Sequence, residues 1–152
     1  MASTWLSASE MRAWRNFIES VSTMTAALES DLAPFGLTLG DYEVLVRLSE
    51  AEGHRLRMCD LATSLQLSPS GLTRRLDGLV SSGLVERVAS PSDRRVMFAA
   101  LTAAGHDKLV EAAPEHVASV RNRFLKDLTK EQVRSLGDIF EIVRANLTAC
   151  PE

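Results

Sequence analysis

The most specific structural signals of the chain lie at residues 58–101: MCDLATSLQLSPSGLTRRLDGLVSSGLVERVASPSDRRVMFAAL. Apolar residues recur with helical spacing over 58–65 and again from Ser68 to Gly83, with a tight turn between the two stretches. Ser68 can cap the second helix because its side chain accepts a bond from a backbone N–H that the helix leaves free. Pro69 suits the first helical position, where its missing N–H costs nothing. Two short helices joined by a few residues predict a helix-turn-helix.

Two predicted strands follow, at 84–89 and 96–101. They flank residues 90–95, SPSDRR, which are rich in turn-forming and charged residue types. The strands and this loop therefore predict a β-hairpin with a basic tip, a feature known as a wing.

On the N-terminal side, residues 9–33 predict one long helix with Ser9 as a plain N-cap. Pro-Phe-Gly at 34–36 interrupts it, and Thr38, with Asp41 three residues later, begins a second helix in a capping-box-like arrangement. The apolar residues of the long helix fall on one stripe: Met11, Trp14, Ile18, Val21, Met24, Leu28 and Leu32. Such a stripe packs either on the core of its own chain or, in part, on a second subunit.

On the C-terminal side, Thr102 caps a helix that is predicted to run to about Lys126. Pro114 lies inside it and is expected to kink or break it, because proline removes a backbone donor. Thr129 and Gln132 form a capping box that begins a last amphipathic helix.

The predicted fold is mainly α with a small β wing: a winged helix-turn-helix lobe flanked by N- and C-terminal helices. The expected division is 1–36 for the N-terminal dimerisation helix, 37–101 for the DNA-binding lobe and 102–152 for the C-terminal dimerisation helices.

The composition fits an ordinary globular chain of 152 residues, with 45% hydrophobic and 24% charged residues. No stretch approaches the ~20 apolar residues of a membrane span, and the N-terminus lacks the basic and apolar regions of a secretory signal. We therefore expect a cytoplasmic protein. Two cysteines and three scattered histidines predict neither a disulfide framework nor a metal site, and we expect no cofactor.

The net charge of −3 is unevenly distributed. Residues 1–53 include three basic and eight acidic residues, 54–101 seven and four, and 102–152 seven and eight. The seven basic residues of the middle segment are all arginine, the side chain suited to two-pronged contact with phosphate and guanine. Random scatter explains this asymmetry equally well, so charge alone assigns no function.

The helix that begins after Ser68 has the polar face that reading a DNA major groove requires. Its candidate contacts are Ser68, Ser70, Thr73, Arg74 and Arg75. Ser68 is equally well explained as the N-cap alone. The spacing leaves open which of the two arginines faces the groove.

The wing offers a second contact. Arg94 and Arg95 at a hairpin tip can reach phosphates or enter a minor groove, whose negative potential attracts arginine. Asp93 can hold a neighbouring guanidinium in one rotamer and so reduce the entropy lost on binding. The alternative is a solvated turn.

The run from Asp93 to Gly105 matches all five fixed positions of the pattern D-x-R-x₅-L-T-x-x-G, the others being Arg95, Leu101 and Thr102. In this the chain resembles the MarR family of bacterial and archaeal regulators, and the order of predicted elements is similar over nearly its whole length. A thirteen-residue match in the expected hairpin-to-helix context is a specific signal.

The resemblance implies a homodimer built from interlaced N- and C-terminal helices. It implies two winged lobes on successive major grooves of near-palindromic double-stranded DNA, with half-sites about 34–36 Å apart. It further implies that Arg95 enters the minor groove and that Asp93 positions it. Many members repress, and many release DNA when a small aromatic ligand binds between lobe and dimer domain. Trp14 and Phe17 are candidate ligand contacts, with the dimer core as the alternative.

Oxidation sensors of that family have a cysteine near the start of the first long helix. Here the cysteines are Cys59 and Cys150, which disfavours peroxide sensing. We expect Cys59 to be a buried structural thiol.

Two other classes of function, an interaction module and an enzyme, are disfavoured by the sequence. A winged-helix interaction module without DNA binding usually lacks the basic wing that this chain has. An enzyme is disfavoured because the sequence contains no glycine-rich phosphate loop, nucleophile triad or carboxylate pair. The sequence thus predicts a DNA-binding transcriptional repressor.

Overall fold

The computed structural model describes residues 5–90, 92, 93 and 95–148. These residues form six α-helices: α1 (Ala8–Leu32), α2 (Leu39–Glu50), α3 (Met58–Ser64), α4 (Pro69–Ser81), α5 (Ala103–Val120) and α6 (Lys130–Thr148). They also form three strands: β1 (Arg55–Arg57), β2 (Val85–Ala89) and β3 (Met97–Leu101). The predicted fold class, mainly α with a small β wing, is confirmed.

Side-chain caps begin α2 and α4 at the predicted residues. Thr38 Oγ1 accepts from the Asp41 amide at 3.0 Å, and the Asp41 carboxylate accepts from the Thr38 amide at 3.0 Å. Ser68 Oγ accepts from the Gly71 N–H at 3.1 Å, and Pro69 follows at the first helical position. Each cap satisfies a backbone donor that the first helical turn leaves unpaired.

The long first helix begins earlier than predicted. Ser7, and not Ser9, is its N-cap, because Glu10 three residues later completes a capping box with Ser7. The Glu10 carboxylate accepts from the Ser7 amide at 2.7 Å. The Ser7 hydroxyl donates to the same carboxylate at 2.6 Å. The bonds from the Ser7 hydroxyl and amide lower the pKa of Glu10 from its ordinary value.

α5 runs through Pro114 as one uninterrupted α-helix, and its first departure from α geometry is a π turn at Arg121–Leu125. The lost N–H of one proline is offset by tertiary packing, since Leu109 and Ala112 of the same helix are buried in the core. The last helix begins after Thr129, as predicted. The Thr129 amide donates to Gln132 Oε1 at 2.8 Å, which is one of the bonds of the expected capping box.

The wing contains a third strand that the sequence did not reveal. β1 pairs antiparallel with β3, which lies between β1 and β2 in the sheet. Leu56 of β1 and Arg87 of β2 both lie opposite Ala99. A strand of three residues is too short to show an alternating pattern, which is why it was missed.

One core joins the lobe to the flanking helices. α2, α3, α4 and the sheet bury mainly leucine and valine, and α1 and α5 add Leu32, Leu109 and Ala112. This packing orients α4 and the wing on one body. None of the described helices combines the length and the hydropathy of a membrane-spanning segment.

Candidate nucleic-acid interface

α4 has an apolar face in the core and a polar face in solvent. Leu72, Leu76 and Leu79 are buried, because a spacing of three to four residues returns them to the same side of the helix. The predicted contacts Ser68, Ser70, Thr73 and Arg74 are all exposed. A surface of hydroxyls and one guanidinium can donate to phosphates and base edges alike.

The structure separates Arg74 from Arg75, which the sequence could not distinguish. Arg75 is half-buried and its guanidinium lies against Gly40 at the start of α2. A Cβ on Gly40 would lie only 1.0 Å from Arg75 Nη1. Arg74, one residue earlier, is exposed. Of the two arginines, Arg74 is therefore the more accessible to a ligand that binds the polar face of α4.

Asp93 holds Arg95 through three hydrogen bonds at the tip of the wing. The Arg95 amide and Nε donate to Asp93 Oδ1 at 3.0 and 3.1 Å, and Nη2 donates to Oδ2 at 3.1 Å. The same bonds lower the pKa of Asp93, so that it stays ionised. The Arg95 side chain is nevertheless 91% exposed. Arg94 lies outside the described residues.

Sequence reasoning missed Arg87, which connects the wing to α4. Arg87 Nη2 donates to Asp77 Oδ1 at 2.7 Å and to the Thr73 carbonyl oxygen at 3.2 Å. The only sequence signal was an acidic residue on the polar face of a helix followed, ten residues later, by an arginine on a strand. That spacing acquires meaning once the fold brings β2 beside α4.

The prediction that Cys59 is buried is wrong, because Cys59 is exposed. The buried side of α3 is formed by Leu61 and Ala62, and Cys59 lies on the solvent side, with its thiol donating to the Asp60 carboxylate at 3.6 Å. It lines a concavity of about 490 Å³ beside the wing. The arginines of that concavity are Arg57, Arg87 and Arg95.

Trp14 and Phe17 lie in a row of aromatic rings between α1 and α6. The Trp14 and Phe17 centroids are 6.1 Å apart, and Phe17 lies 5.8 Å from Phe140. Trp14 is 54% exposed. The row is therefore open to solvent in the isolated chain.

A separate crevice of about 560 Å³ lies between the lobe and the flanking helices. Tyr42 of α2 and His116 of α5 line it, with their rings 4.3 Å apart. Burial lowers the pKa of His116, while the charges of Glu43 and Asp31 act in the opposite direction. Among the residues that the structure describes, no group of three or more His, Cys, Asp or Glu side chains is arranged to hold a metal ion.

These features define a winged helix-turn-helix protein with an ordered arginine on its wing, and comparison with known proteins agrees. The model of the MarR family matches residues 37–97. The HTH-type transcriptional repressor YetL of Bacillus subtilis is 31% identical over 121 residues, which cover 78% of this chain and 72% of YetL.

Solved structures extend the similarity to nearly the whole chain. The MarR family regulator AbsC from Streptomyces coelicolor has a TM-score of 0.92 and 43% identity, covering 95% of this chain and 98% of AbsC. Sco3205 from the same organism, solved in complex with DNA, has a TM-score of 0.93 and 37% identity, covering 97% and 92%. The chain belongs to the MarR family of transcriptional regulators and is not an enzyme.

Proposed function

We propose that this regulator represses transcription by binding double-stranded DNA with α4 in the major groove and Arg95 in the adjacent minor groove. The observation that carries the proposal is the Asp93–Arg95 arrangement, which orders an exposed guanidinium at the wing tip. An arginine held in one rotamer loses less entropy on binding, and minor grooves attract arginine. The similarity to Sco3205, solved in complex with DNA, supports DNA binding by this chain.

On α4 we assign the DNA contacts to Ser68, Ser70, Thr73 and Arg74. Their exposure on one side of the helix supports this. Ser68 also serves as the N-cap, and the helix N-terminus adds attraction for phosphate. Arg75, which lies against Gly40, we assign to holding α4 on α2, and Arg94 we retain as a phosphate contact on its position in the sequence.

We propose a homodimer in which residues 1–36 and 102–152 of two chains interlace around the lobes at 37–101. Large apolar side chains that are exposed on the flanking helices support it, because extensive exposed apolar surface marks an interface. The exposed set includes Trp14, Ile18 and Val21 of α1, Val110 and Val117 of α5, and Val133, Ile139, Phe140, Ile142, Val143 and Leu147 of α6. A symmetric dimer would read a near-palindrome with half-sites about 34–36 Å apart.

We propose that a small aromatic ligand releases the DNA. The crevice beside Tyr42 and His116 supports this, because about 560 Å³ suits a small molecule and its walls come from both the lobe and the flanking helices. Trp14 and Phe17, the contacts suggested by the sequence, lie on the exposed apolar face, where we propose that they pack against the second subunit.

We propose repression, and not activation, on the names of the relatives. YetL is named a transcriptional repressor, and this supports repression by the present chain.

To test the proposal, duplexes are selected from a randomised library with the purified protein. The affinity of the protein for the selected sequence is then measured. We expect a near-palindrome and weaker binding by Arg95→Ala than by the matched variant Arg134→Ala on α6. Affinity should also fall steeply with salt, as condensed counterions are released. Selection of no sequence, with a flat response to salt, would favour the interaction module without DNA binding.

A further inference from the structure

One salt bridge ties the wing to α4. Arg87 lies in the middle of β2 and bonds both Asp77 Oδ1, at 2.7 Å, and the Thr73 carbonyl oxygen, at 3.2 Å. Thr73 and Asp77 are one helical turn apart on α4. The side chains of Arg87 and Asp77 are 31% and 62% exposed. The pair therefore bridges the two elements at the surface of the lobe.

The bridge lies close to the wing tip. Arg87 is two residues before Ala89, where β2 ends opposite Met97 of β3. The connection between these strands includes Asp93 and Arg95. A guanidinium bonded to a side chain and to the backbone of α4 restricts both the distance and the angle between hairpin and helix.

We propose that Arg87 and Asp77 are positioning residues, which hold Arg95 at a set distance from the exposed face of α4. This inference rests on the proposed DNA binding. Two contacts on one lobe engage adjacent grooves together only when their spacing matches the duplex, and a preorganised spacing avoids an ordering cost on binding. Arg87 acts through the orientation of the wing and Asp77 through Arg87.

The sign of the effect at Asp77 distinguishes positioning from plain electrostatics. Asp77 is an exposed carboxylate on the helix that we assign to the major groove. On charge alone, its removal should strengthen binding to a polyanion. If it positions the wing, its removal should weaken binding to the selected duplex.

The experiment is a double-mutant cycle with Arg87→Ala, Asp77→Ala and both changes together. Glu86→Gln is the matched control, because it removes a carboxylate from the neighbouring position of β2, outside the bridge. Affinities are measured by fluorescence anisotropy, over a range of salt, for the duplex selected from the library and for a scrambled duplex of the same composition. Thermal unfolding of each variant is measured in parallel.

We expect each single change to weaken binding to the selected duplex by about two- to tenfold, the range for losing an exposed ion pair with a further bond to a carbonyl. The double variant should be no weaker than Arg87→Ala. Affinity for the scrambled duplex should stay within about twofold, and the salt slope should stay unchanged, because no phosphate contact is removed. Asp77→Asn, which keeps one acceptor oxygen, should be intermediate.

Tighter binding by Asp77→Ala, together with a reduced salt slope for Arg87→Ala, would overturn the inference and make Arg87 a phosphate contact. Equal losses on both duplexes, in step with a lower melting temperature, would reduce the bridge to a structural role and also overturn it. A wild-type protein that did not distinguish the two duplexes would overturn the proposed function itself, and the inference with it.

Discussion

Asp31 of α1 accepts a hydrogen bond from Arg123 at 3.2 Å and another from the hydroxyl of Ser119. The Asp31 side chain is 15% exposed and Ser119 is buried. This carboxylate thus joins α1 to α5 and to the π turn that follows it, at a point more than 85 residues distant in the sequence.

Asp31→Ala should lower the free energy of unfolding by about 1–3 kcal/mol, because it leaves a buried hydroxyl without its partner. Urea denaturation at one fixed protein concentration checks this, with Asp138→Ala on the exposed side of α6 as the control. Equal midpoints for the two variants would show that the Asp31 contacts contribute nothing measurable.

Arg74 and Arg75, neighbours on α4, should differ in how much their removal weakens DNA binding. Arg74→Ala should weaken binding to the selected duplex by about 5- to 150-fold and reduce the salt slope by about 1, as expected for loss of a base or phosphate contact. Arg75→Ala should leave the slope unchanged, because its guanidinium lies against Gly40. A larger change of slope for Arg75→Ala would contradict the assignment of the two residues.

Asp93 should titrate below the ordinary aspartate pKa, and Arg95→Ala should return its pKa towards that value, because Arg95 supplies the hydrogen bonds that lower it. A depressed carboxylate pKa means that the interaction is present above the unfolded pKa and is lost as the pH falls through the folded one. The ordered wing should therefore persist at neutral pH. A carbon-detected NMR titration measures the shift, and an Asp93 pKa that does not respond to Arg95→Ala would contradict it.

Stability should fall as the pH drops below about 6.5, the ordinary histidine pKa, and part of that fall should come from His116. Burial lowers the pKa of His116, so the unfolded chain takes up the proton at a higher pH than the folded one. His116→Phe should flatten the dependence of the free energy of unfolding on pH between about 6.5 and 5. His54→Phe, at a more exposed histidine, is the control, and equal flattening by both changes would contradict the role of burial.

Ile142→Glu should dissociate the proposed homodimer, because Ile142 is 63% exposed in the single chain and a charge is costly in an apolar interface. In a monomer the same change would be nearly neutral. Sedimentation velocity checks this, with Met97→Glu on the wing as the matched control. A wild-type chain that sediments as a stable folded monomer would contradict the dimer.

Much of the fold could be predicted because its signals are local. Thr38 with Asp41, Ser68 with Pro69, and Thr129 with Gln132 begin helices through contacts within one turn. The choice of Ser9 over Ser7 failed on the same local physics, since the carboxylate that completes the box belongs to Glu10.

The helix order, the hairpin and the pairing of Asp93 with Arg95 could be predicted from the chain alone, because each depends on residues a few positions apart. Three outcomes could be seen only in the folded chain: Arg75 turns to Gly40 while Arg74 faces solvent, Cys59 is exposed, and Arg87 bonds Asp77. These outcomes depend on which elements lie side by side. Packing of the common core sets that, and the spacing of residues along the chain does not.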